Sequence, residues 1–232
     1  MAPSALFIGD AEAATGAIHS ALAEQGFQID TTESADAALE RAAAADVIVL
    51  DLGVPEADPI ETCRRLRAAT DAYIVAVGER QSELELVLSL SVGADDFIPR
   101  PVQTAELVAR VRAMLRRPRT LGAMARTLRV GDLEIDTGAR AVRIAGDPVE
   151  LSTLEFDLLH TLAQHPKLTL SRQQLLRRVW GPNWFGDDHV IDVHISNLRR
   201  KLHDDAQDPK YIRTIRGYGF RMQEQQPGPG PA

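Results

Sequence analysis

The sequence contains a single cysteine, few aromatic residues and no long apolar run. The one cysteine, Cys63, cannot form an internal disulfide, and aromatic residues make up only 5% of the 232 positions. No segment approaches the roughly 20 consecutive apolar residues that a membrane-spanning helix needs. The first residues also lack the basic region and the long apolar region of a signal peptide. These absences exclude a disulfide scaffold, and they predict a cytoplasmic protein with no membrane partner.

Lysine is absent from the first half of the chain, which is strongly acidic. Residues 1–117 contain 10 Arg and 19 Asp or Glu, a net charge of −9, whereas residues 118–232 carry a net charge of +2. Within the second half, Lys167–Arg221 has 11 Arg or Lys against 6 Asp. This asymmetry indicates two domains with different partners, and the basic one suits a polyanion.

Composition divides the chain into four segments. A first domain, residues 1–117, precedes a basic linker that contains Pro and Gly, residues 118–126. A second domain, residues 127–223, precedes a tail, residues 224–232. The tail is too rich in Pro and Gly to bury a core, so we predict that it is disordered.

Short apolar runs alternate with helical patterns through the first domain. The strand candidates are Ala5–Ile8, Phe27–Thr31, Val47–Leu50, Tyr73–Val77 and Phe97–Ile98. Five helices alternate with them, and Ser34 and Thr104 are predicted N-caps. Because the central strands are almost wholly apolar, the pattern predicts an α/β fold with a doubly wound, five-stranded parallel sheet covered on both faces. Ligands bind at the carboxyl ends of such strands, where Asp10 and Asp51 would lie.

The second domain begins with four short strand candidates that are separated by Gly-containing turns. Helical patterns follow at Thr153–Gln164, Arg172–Val179 and Val190–His203, and a hairpin is predicted around Ile212–Arg221. This is the element order of an α+β winged helix-turn-helix domain, although the order alone does not decide the fold.

Asp51 follows a buried strand and precedes a loop. A carboxylate in this position can act as a nucleophile toward a phosphoryl donor, and with Asp10 it can hold Mg²⁺. On periodicity alone, a solvated aspartate at the end of a strand is the simpler interpretation.

From about Ala5 to Met222, the chain resembles the OmpR/PhoB family of two-component response regulators. The motifs that carry the resemblance are Leu50-Asp51-Leu52, Gly93-Ala94-Asp95-Asp96-Phe97, Arg100-Pro101, Leu151–Leu159, Leu170–Leu176, Val179-Trp180-Gly181, Val190–Leu202 and Ile212–Phe220. The resemblance implies a homodimeric, sequence-specific transcriptional regulator rather than an enzyme. It also implies a sensor histidine kinase and RNA polymerase as partners, with RNA polymerase contacting residues 183–188.

The resemblance assigns roles around Asp51. It makes Asp51 the phospho-acceptor, adds Asp10 and the Gly53 carbonyl as Mg²⁺ ligands, and makes Phe97 the aromatic switch residue.

Three positions near Asp51 depart from the family pattern. Gly9 stands where the family has an acid, Gly78 stands where it has Ser or Thr, and Arg100 stands where it has Lys. The departures favour a pseudo-receiver that dimerises without phosphorylation. Ordinary phosphorylation of Asp51 is the first alternative, and a phosphotransfer enzyme is the second. Restoring all three family residues together is expected to recover phosphoryl labelling.

Family likeness also places a dimer interface on the fourth and fifth helices. Acid–base pairs across the two-fold axis are expected from Asp95, Asp96, Glu106, Arg110 and Arg112. The fourth helix is rich in leucine, and any leucine that faces outward would add hydrophobic burial to the dimer.

The third helix of the second domain is the candidate recognition helix. Its apolar set, Ile191, Ile195, Leu198 and Leu202, has helical spacing and is expected to face the core. Asn197, Arg200, His194 and Val193 are expected to reach base edges, and Arg199, Lys201 and Lys210 are expected to reach phosphates. His189 and Val190 would lie at the helix start, and the resemblance places Arg216 in a minor groove. The expected target is duplex DNA with repeated half-sites. A solvated basic face and a non-specific nucleoid binder are the alternatives.

Overall fold

The computed structural model describes residues 2–9, 15–53, 58–79, 82–115, 127–182, 184 and 187–223. Asp10, the predicted linker and the predicted tail lie outside these residues. The chain divides into two compact units, residues 1–117 with 183–193 and residues 118–182 with 194–232. Segment 183–193 therefore groups with the first unit, a feature that the sequence did not indicate.

A parallel sheet forms the centre of the first unit. Its strands are β1 (Ser4–Ile8), β2 (Gln28–Thr32), β3 (Val47–Asp51), β4 (Tyr73–Gly78) and β5 (Asp96–Pro99). Their order is β2-β1-β3-β4-β5, and every neighbouring pair is parallel. Every residue of β3 and β4 is buried, as expected for strands covered on both faces. The predicted α/β fold class is confirmed.

Five helices cover this sheet. They are α1 (Thr15–Glu24), α2 (Ala35–Ala42), α3 (Pro59–Ala69), α4 (Glu83–Val92) and α5 (Thr104–Leu115). Ser34 caps α2 as predicted, because its side chain accepts from the Ala37 N–H. Thr104 is the first residue of α5 rather than its N-cap, so that prediction was wrong. The strand order reverses between β1 and β3, so the crevice at their carboxyl ends is bordered by Asp51, the last residue of β3.

The second half of the chain has the winged-helix order. The strands β6 (Thr127–Val130), β7 (Leu133–Asp136), β8 (Ala141–Ile144) and β9 (Asp147–Val149) form an antiparallel sheet. The helices are α6 (Thr153–Gln164), α7 (Arg172–Val179) and α8 (His189–Leu202). The strands β10 (Ile212–Ile215) and β11 (Gly219–Met222) then form an antiparallel hairpin, which we call the wing.

Capping boxes fix the starts of α6 and α7. At each start, the N-cap serine accepts from a backbone N–H three residues later, and the side chain of that later residue accepts from the serine N–H. The serines are Ser152 and Ser171, and their partners are Glu155 and Gln174. Each box satisfies two backbone donors that the first turn of a helix leaves without intrahelical partners.

Candidate functional site

The Asp51 carboxylate pairs with a cation of the same chain. Its side chain is only 10% exposed at the end of β3, and its Oδ1 atom accepts from the Gly53 N–H at 2.7 Å. Arg100 donates to the same oxygen through Nη2. The guanidinium therefore places a positive charge at one of the two Asp51 carboxylate oxygens. Asp10, the other predicted Mg²⁺ ligand, lies outside the described residues.

The Oδ1 atom of Asp51 accepts from the Gly53 N–H and pairs with the Arg100 guanidinium, whose positive charge opposes a cation at that atom. These contacts engage Oδ1 and do not involve the second carboxylate oxygen, Oδ2. Because Asp10 lies outside the described residues, the ligand set of Asp10, Asp51 and the Gly53 carbonyl stays a prediction.

The space beside Gly78 is filled by two side chains. A Cβ atom at Gly78 would contact the Glu85 carboxylate and lie 2.8 Å from the Phe97 ring. Glu85 is held there because its Oε2 accepts from the Glu79 N–H at 2.8 Å, and Phe97 is 5% exposed. Ser82 caps α4 by accepting from the Glu85 N–H, which places this acid in the first helical turn. The family resemblance in the sequence pointed to Gly78 and Phe97, but it did not point to Glu85.

Gly9 approaches Asp51 too closely for a side chain. A Cβ atom at Gly9 would lie 2.6 Å from the Asp51 Cβ, and the backbone φ of Gly9 is +155°. Glutamate at this position would therefore displace Asp51. Recovery of labelling by Gly9→Glu, Gly78→Thr and Arg100→Lys together stays a prediction, and it requires Asp51, Glu85 and Phe97 to shift to make space for the new side chains.

Helix α8, the candidate recognition helix, has a buried face and an exposed face. The predicted apolar set is buried as its spacing requires: Ile191, Ile195, Leu198 and Leu202. The residues that face solvent are His189, Ser196 and Arg200, and Val193 is half-buried. Ser196 was missed, although it lies four residues before Arg200 and therefore shares its face.

Three residues that were expected to contact DNA are buried. Val190 is 1% exposed, His194 is 3% exposed and Asn197 is 6% exposed. The His194 ring lies 5.6 Å from the Trp180 ring between centroids, and Asn197 Oδ1 accepts from Arg200 Nη2 at 3.2 Å. Contrary to the prediction, these three side chains do not face solvent: His194 packs against Trp180, and Asn197 accepts from Arg200.

Two basic residues of α8 make contacts within the fold. Arg199 donates to the Ile212 carbonyl at 2.7 Å and to Thr214 Oγ1 at 2.8 Å, so it ties α8 to the wing. Lys201 Nζ donates to Glu155 Oε2 at 2.6 Å. Both were expected to contact phosphates, and these partners compete with that role.

Family models match both halves of the chain. Residues 5–112 match the response regulator receiver domain, and residues 146–222 match the C-terminal domain of transcriptional regulatory proteins. The chain is 35% identical over 226 residues to the sensory transduction protein RegX3 of Mycolicibacterium smegmatis, which covers 95% of this chain and 99% of RegX3. The chain belongs to the OmpR/PhoB family of response regulators.

Solved structures agree with this assignment. A cysteine-to-aspartate mutant of RitR aligns with a TM-score of 0.72 and 27% identity, over 96% of this chain and 100% of that one. DrrB of Thermotoga maritima, described as an OmpR/PhoB homologue, aligns with a TM-score of 0.51 and 25% identity, over 96% and 100% of the two chains. The response regulator is a DNA-binding transcriptional regulator, not an enzyme.

The expected dimer-face acids of this response regulator are paired internally. Asp95 accepts from Arg67 at 2.5 Å, and Asp96 accepts from Arg110 at 2.9 Å. Asp95, Asp96 and Arg110 are each 3% exposed or less, and burial raises the pKa of the Asp96 carboxyl against the opposing effect of Arg110. Ion pairs across a two-fold axis through these three residues are therefore not available in this arrangement.

The remaining exposed dimer-face residues of the response regulator lie on α4 and α5. Glu106 also pairs with Arg110, but its side chain is 31% exposed, and Arg112 is exposed. On α4, Leu84 is 68% exposed, and Val87 and Leu88 are each 39% exposed. Leu84 and Leu88 therefore face outward, a point that the sequence left open.

Arg216 lies in the turn between β10 and β11 and is exposed. The sequence placed it at the tip of the hairpin, and the turn comprises residues 216–218. Nothing in its position conflicts with a minor-groove contact. Among the helices of the described segments, none is long and apolar enough to cross a bilayer.

Proposed function

We propose that this response regulator binds repeated DNA half-sites as a homodimer that assembles without phosphorylation of Asp51. The observation that carries the proposal is the ion pair between Asp51 and Arg100, which gives the acceptor carboxylate an internal counter-ion. Glu85 supports it, because its carboxylate and the Phe97 ring fill the space where a hydroxyl-bearing side chain would sense a phosphoryl group. A phosphoryl group shifts an equilibrium only through contacts that differ between the two states, and Gly78 offers no such contact.

The dimer contact is assigned to α4 and the exposed part of α5. Leu84, Val87 and Leu88 form an outward apolar patch on α4, and α5 carries the partly exposed Glu106 and the exposed Arg112. Burial of such a patch against a second copy supplies hydrophobic free energy that salt does not screen.

DNA recognition is assigned to the exposed face of α8 and to the wing. Arg200 reads guanine in the major groove, with Val193 and Ser196 beside it, and Arg216 enters the minor groove. His189 adds a phosphate contact only while its ring is protonated.

Family membership supports further proposals about partners and location. Residues 183–188 are assigned to RNA polymerase, and the regulator works in the cytoplasm, where its DNA target is. In the alternative function, a sensor histidine kinase phosphorylates Asp51 with Mg²⁺ held by Asp10, Asp51 and the Gly53 carbonyl.

Selection of duplexes from a random library, followed by fluorescence anisotropy, tests this proposal. Untreated wild-type protein should enrich repeated half-sites spaced by roughly 10 to 11 bp. Arg200→Ala should lose roughly 1 to 3 kcal/mol of discrimination at one base of each half-site. Arg143→Ala, which removes an exposed arginine from β8, is the control and should bind as wild type does. Enrichment that occurs only after treatment with acetyl phosphate would favour the alternative function.

A further inference from the structure

The first half of α4 has little apolar burial to hold it in place. Residues 83–88 include no buried side chain, and the buried residues of this helix, Ser89 and Leu90, both lie in its second half. The first half nevertheless carries the outward apolar patch that is assigned to the dimer contact. The position of this patch therefore depends on the hydrogen bonds at the start of the helix.

Ser82 and Glu85 form only half of a capping box at that start. Ser82 Oγ accepts from the Glu85 N–H at 3.1 Å, but the Ser82 N–H donates to the Glu79 carbonyl at 3.1 Å. The Glu85 carboxylate instead accepts from the Glu79 N–H at 2.8 Å. In α6 and α7, by contrast, the corresponding Glu155 and Gln174 accept from the N-cap serine. Glu85 is therefore directed away from its own helix and toward the end of β4.

The peptide group between Gly78 and Glu79 links Glu85 to the Asp51 site. Its carbonyl accepts from the Arg100 N–H at 2.8 Å, and its N–H donates to Glu85. The side chain of Arg100 pairs with Asp51, and β3 pairs with β4 as far as Asp51. Hydrogen bonds in such a chain polarise one another. Glu85 thus supplies a carboxylate at the strand end that neighbours Asp51.

This carboxylate is a fixed part of its surroundings. A Cβ atom at Gly78 would contact both the Glu85 carboxylate and the Phe97 ring, so these two side chains surround the same point. A hydrogen bond to a charged acceptor is about twice as strong as one between neutral groups. Because the anion belongs to the chain, its contacts need no phosphoryl donor.

We propose that Glu85 is a positioning residue for the dimer contact. Its carboxylate is a tethered anion that fixes the first half of α4 to the end of β4, so the apolar patch is presented without a phosphoryl group. This proposal rests on the proposed phosphorylation-independent dimer, and it names the residue that makes α4 independent of Asp51.

Hydrogen–deuterium exchange of residues 83–88 in the full chain tests the anchor. Every variant also carries Leu84→Ser and Leu88→Ser, so that loss of a dimer does not itself change the exchange of α4. Glu85→Ala should raise the exchange rate by about tenfold or more, because it removes a hydrogen bond to a charged group. Glu83→Ala removes an exposed acid from the same helical turn, so it is the matched control and should exchange as the background does. Glu85→Gln retains a neutral acceptor and should fall between the two.

Acetate distinguishes a tethered anion from a merely structural side chain. Glu85→Ala deletes a carboxymethyl group, which has the size of acetate, from the space beside Gly78. Sodium acetate should therefore slow exchange in Glu85→Ala to within about threefold of the background, and sodium chloride at the same ionic strength should not. With the native leucines in α4, Glu85→Ala should raise the apparent Kd of the dimer by about tenfold, and acetate should reverse this change.

The outcomes separate this proposal from the function on which it rests. If Glu85→Ala exchanges as Glu83→Ala does, or if chloride acts as well as acetate, Glu85 is not an anion anchor and the proposal is wrong, while a wild-type dimer leaves the proposed function standing. If Glu85→Ala dimerises as tightly as wild type, the anchor does not position the dimer contact, which also overturns the proposal. If untreated wild type is a monomer, both are overturned. Thermal unfolding of each variant excludes misfolding as the cause of any change.

Discussion

Asp51, the predicted phospho-acceptor, and Arg100 neutralise each other at the end of β3. The pair is partly solvated, because the side chain of Arg100 is 29% exposed and that of Asp51 is 10% exposed. Removing the carboxylate therefore leaves a cation that water can still reach, and the cost to the fold is modest.

Asp51→Asn should leave DNA affinity within about threefold of wild type, a difference of about 0.7 kcal/mol. The amide retains the size of the carboxylate and cannot accept a phosphoryl group, so the variant isolates phosphorylation. Anisotropy titration on the selected duplex measures the effect. A loss of tenfold or more, with the variant folded, would show that the acidic group is needed for the DNA-binding state.

Gly78→Ala should destabilise the receiver by about 1 to 3 kcal/mol, because the added methyl group meets Glu85 and Phe97. In a Glu85→Ala background the cost should be smaller, since only the Phe97 contact remains. Urea denaturation of wild type, both single variants and the double variant gives the coupling energy. Additive effects within about 0.3 kcal/mol would mean that Glu85 does not occupy the space beside Gly78.

Cys63 should resist alkylation at pH 8 in the native protein. It is fully buried in α3, and burial raises the pKa of its thiol to about 12. An unfolded thiol titrates near about pH 8.5. The contribution of Cys63 to the free energy of unfolding is therefore fully present below that pH, and it is lost as the pH rises from about 8.5 toward 12. Maleimide labelling before and after unfolding tests the first point, and Cys63→Ala should flatten the alkaline loss of stability. Rapid native labelling would contradict the burial.

At the scale of elements, hydrophobic periodicity predicted the sheet, the helices and the buried face of α8. Periodicity could not predict which residues of the opposite face of α8 are exposed, because the burial of His194 depends on packing against Trp180, a residue outside the helix. Likewise, Asp96 and Arg110 fit a dimer contact in sequence, yet they pair within one chain. Sequence spacing shows which charges share a surface, but it does not show whether the partner is internal.

Ser152→Ala should lower the free energy of unfolding by about 1 kcal/mol, since the serine caps α6 and completes a capping box. Glu155 also accepts from Lys201, so loss of the cap loosens a contact between α6 and α8. Chemical denaturation measures the loss, and Ser196→Ala, on the exposed face of α8, provides the control. Equal stability of the Ser152 variant and wild type would contradict the cap.

For the whole molecule, the charge difference between the two halves now has a physical interpretation. The receiver half carries the excess of Asp and Glu, whereas the DNA-binding half carries the excess of Arg and Lys that suits a polyanion such as DNA. The net charge of −7 for the whole chain hides this division. The apolar patch of Leu84, Val87 and Leu88 then provides the proposed contact between copies. Neither feature depends on a phosphoryl group.

Sedimentation of untreated protein at micromolar concentration tests the central claim most directly. The account predicts a dimer that acetyl phosphate and beryllofluoride do not alter, and a monomer for Leu84→Ser with Leu88→Ser, because the pair removes apolar surface from α4. A wild-type monomer that dimerises only after either treatment would mean that Asp51 is a working switch, and phosphorylation-independent assembly would be wrong.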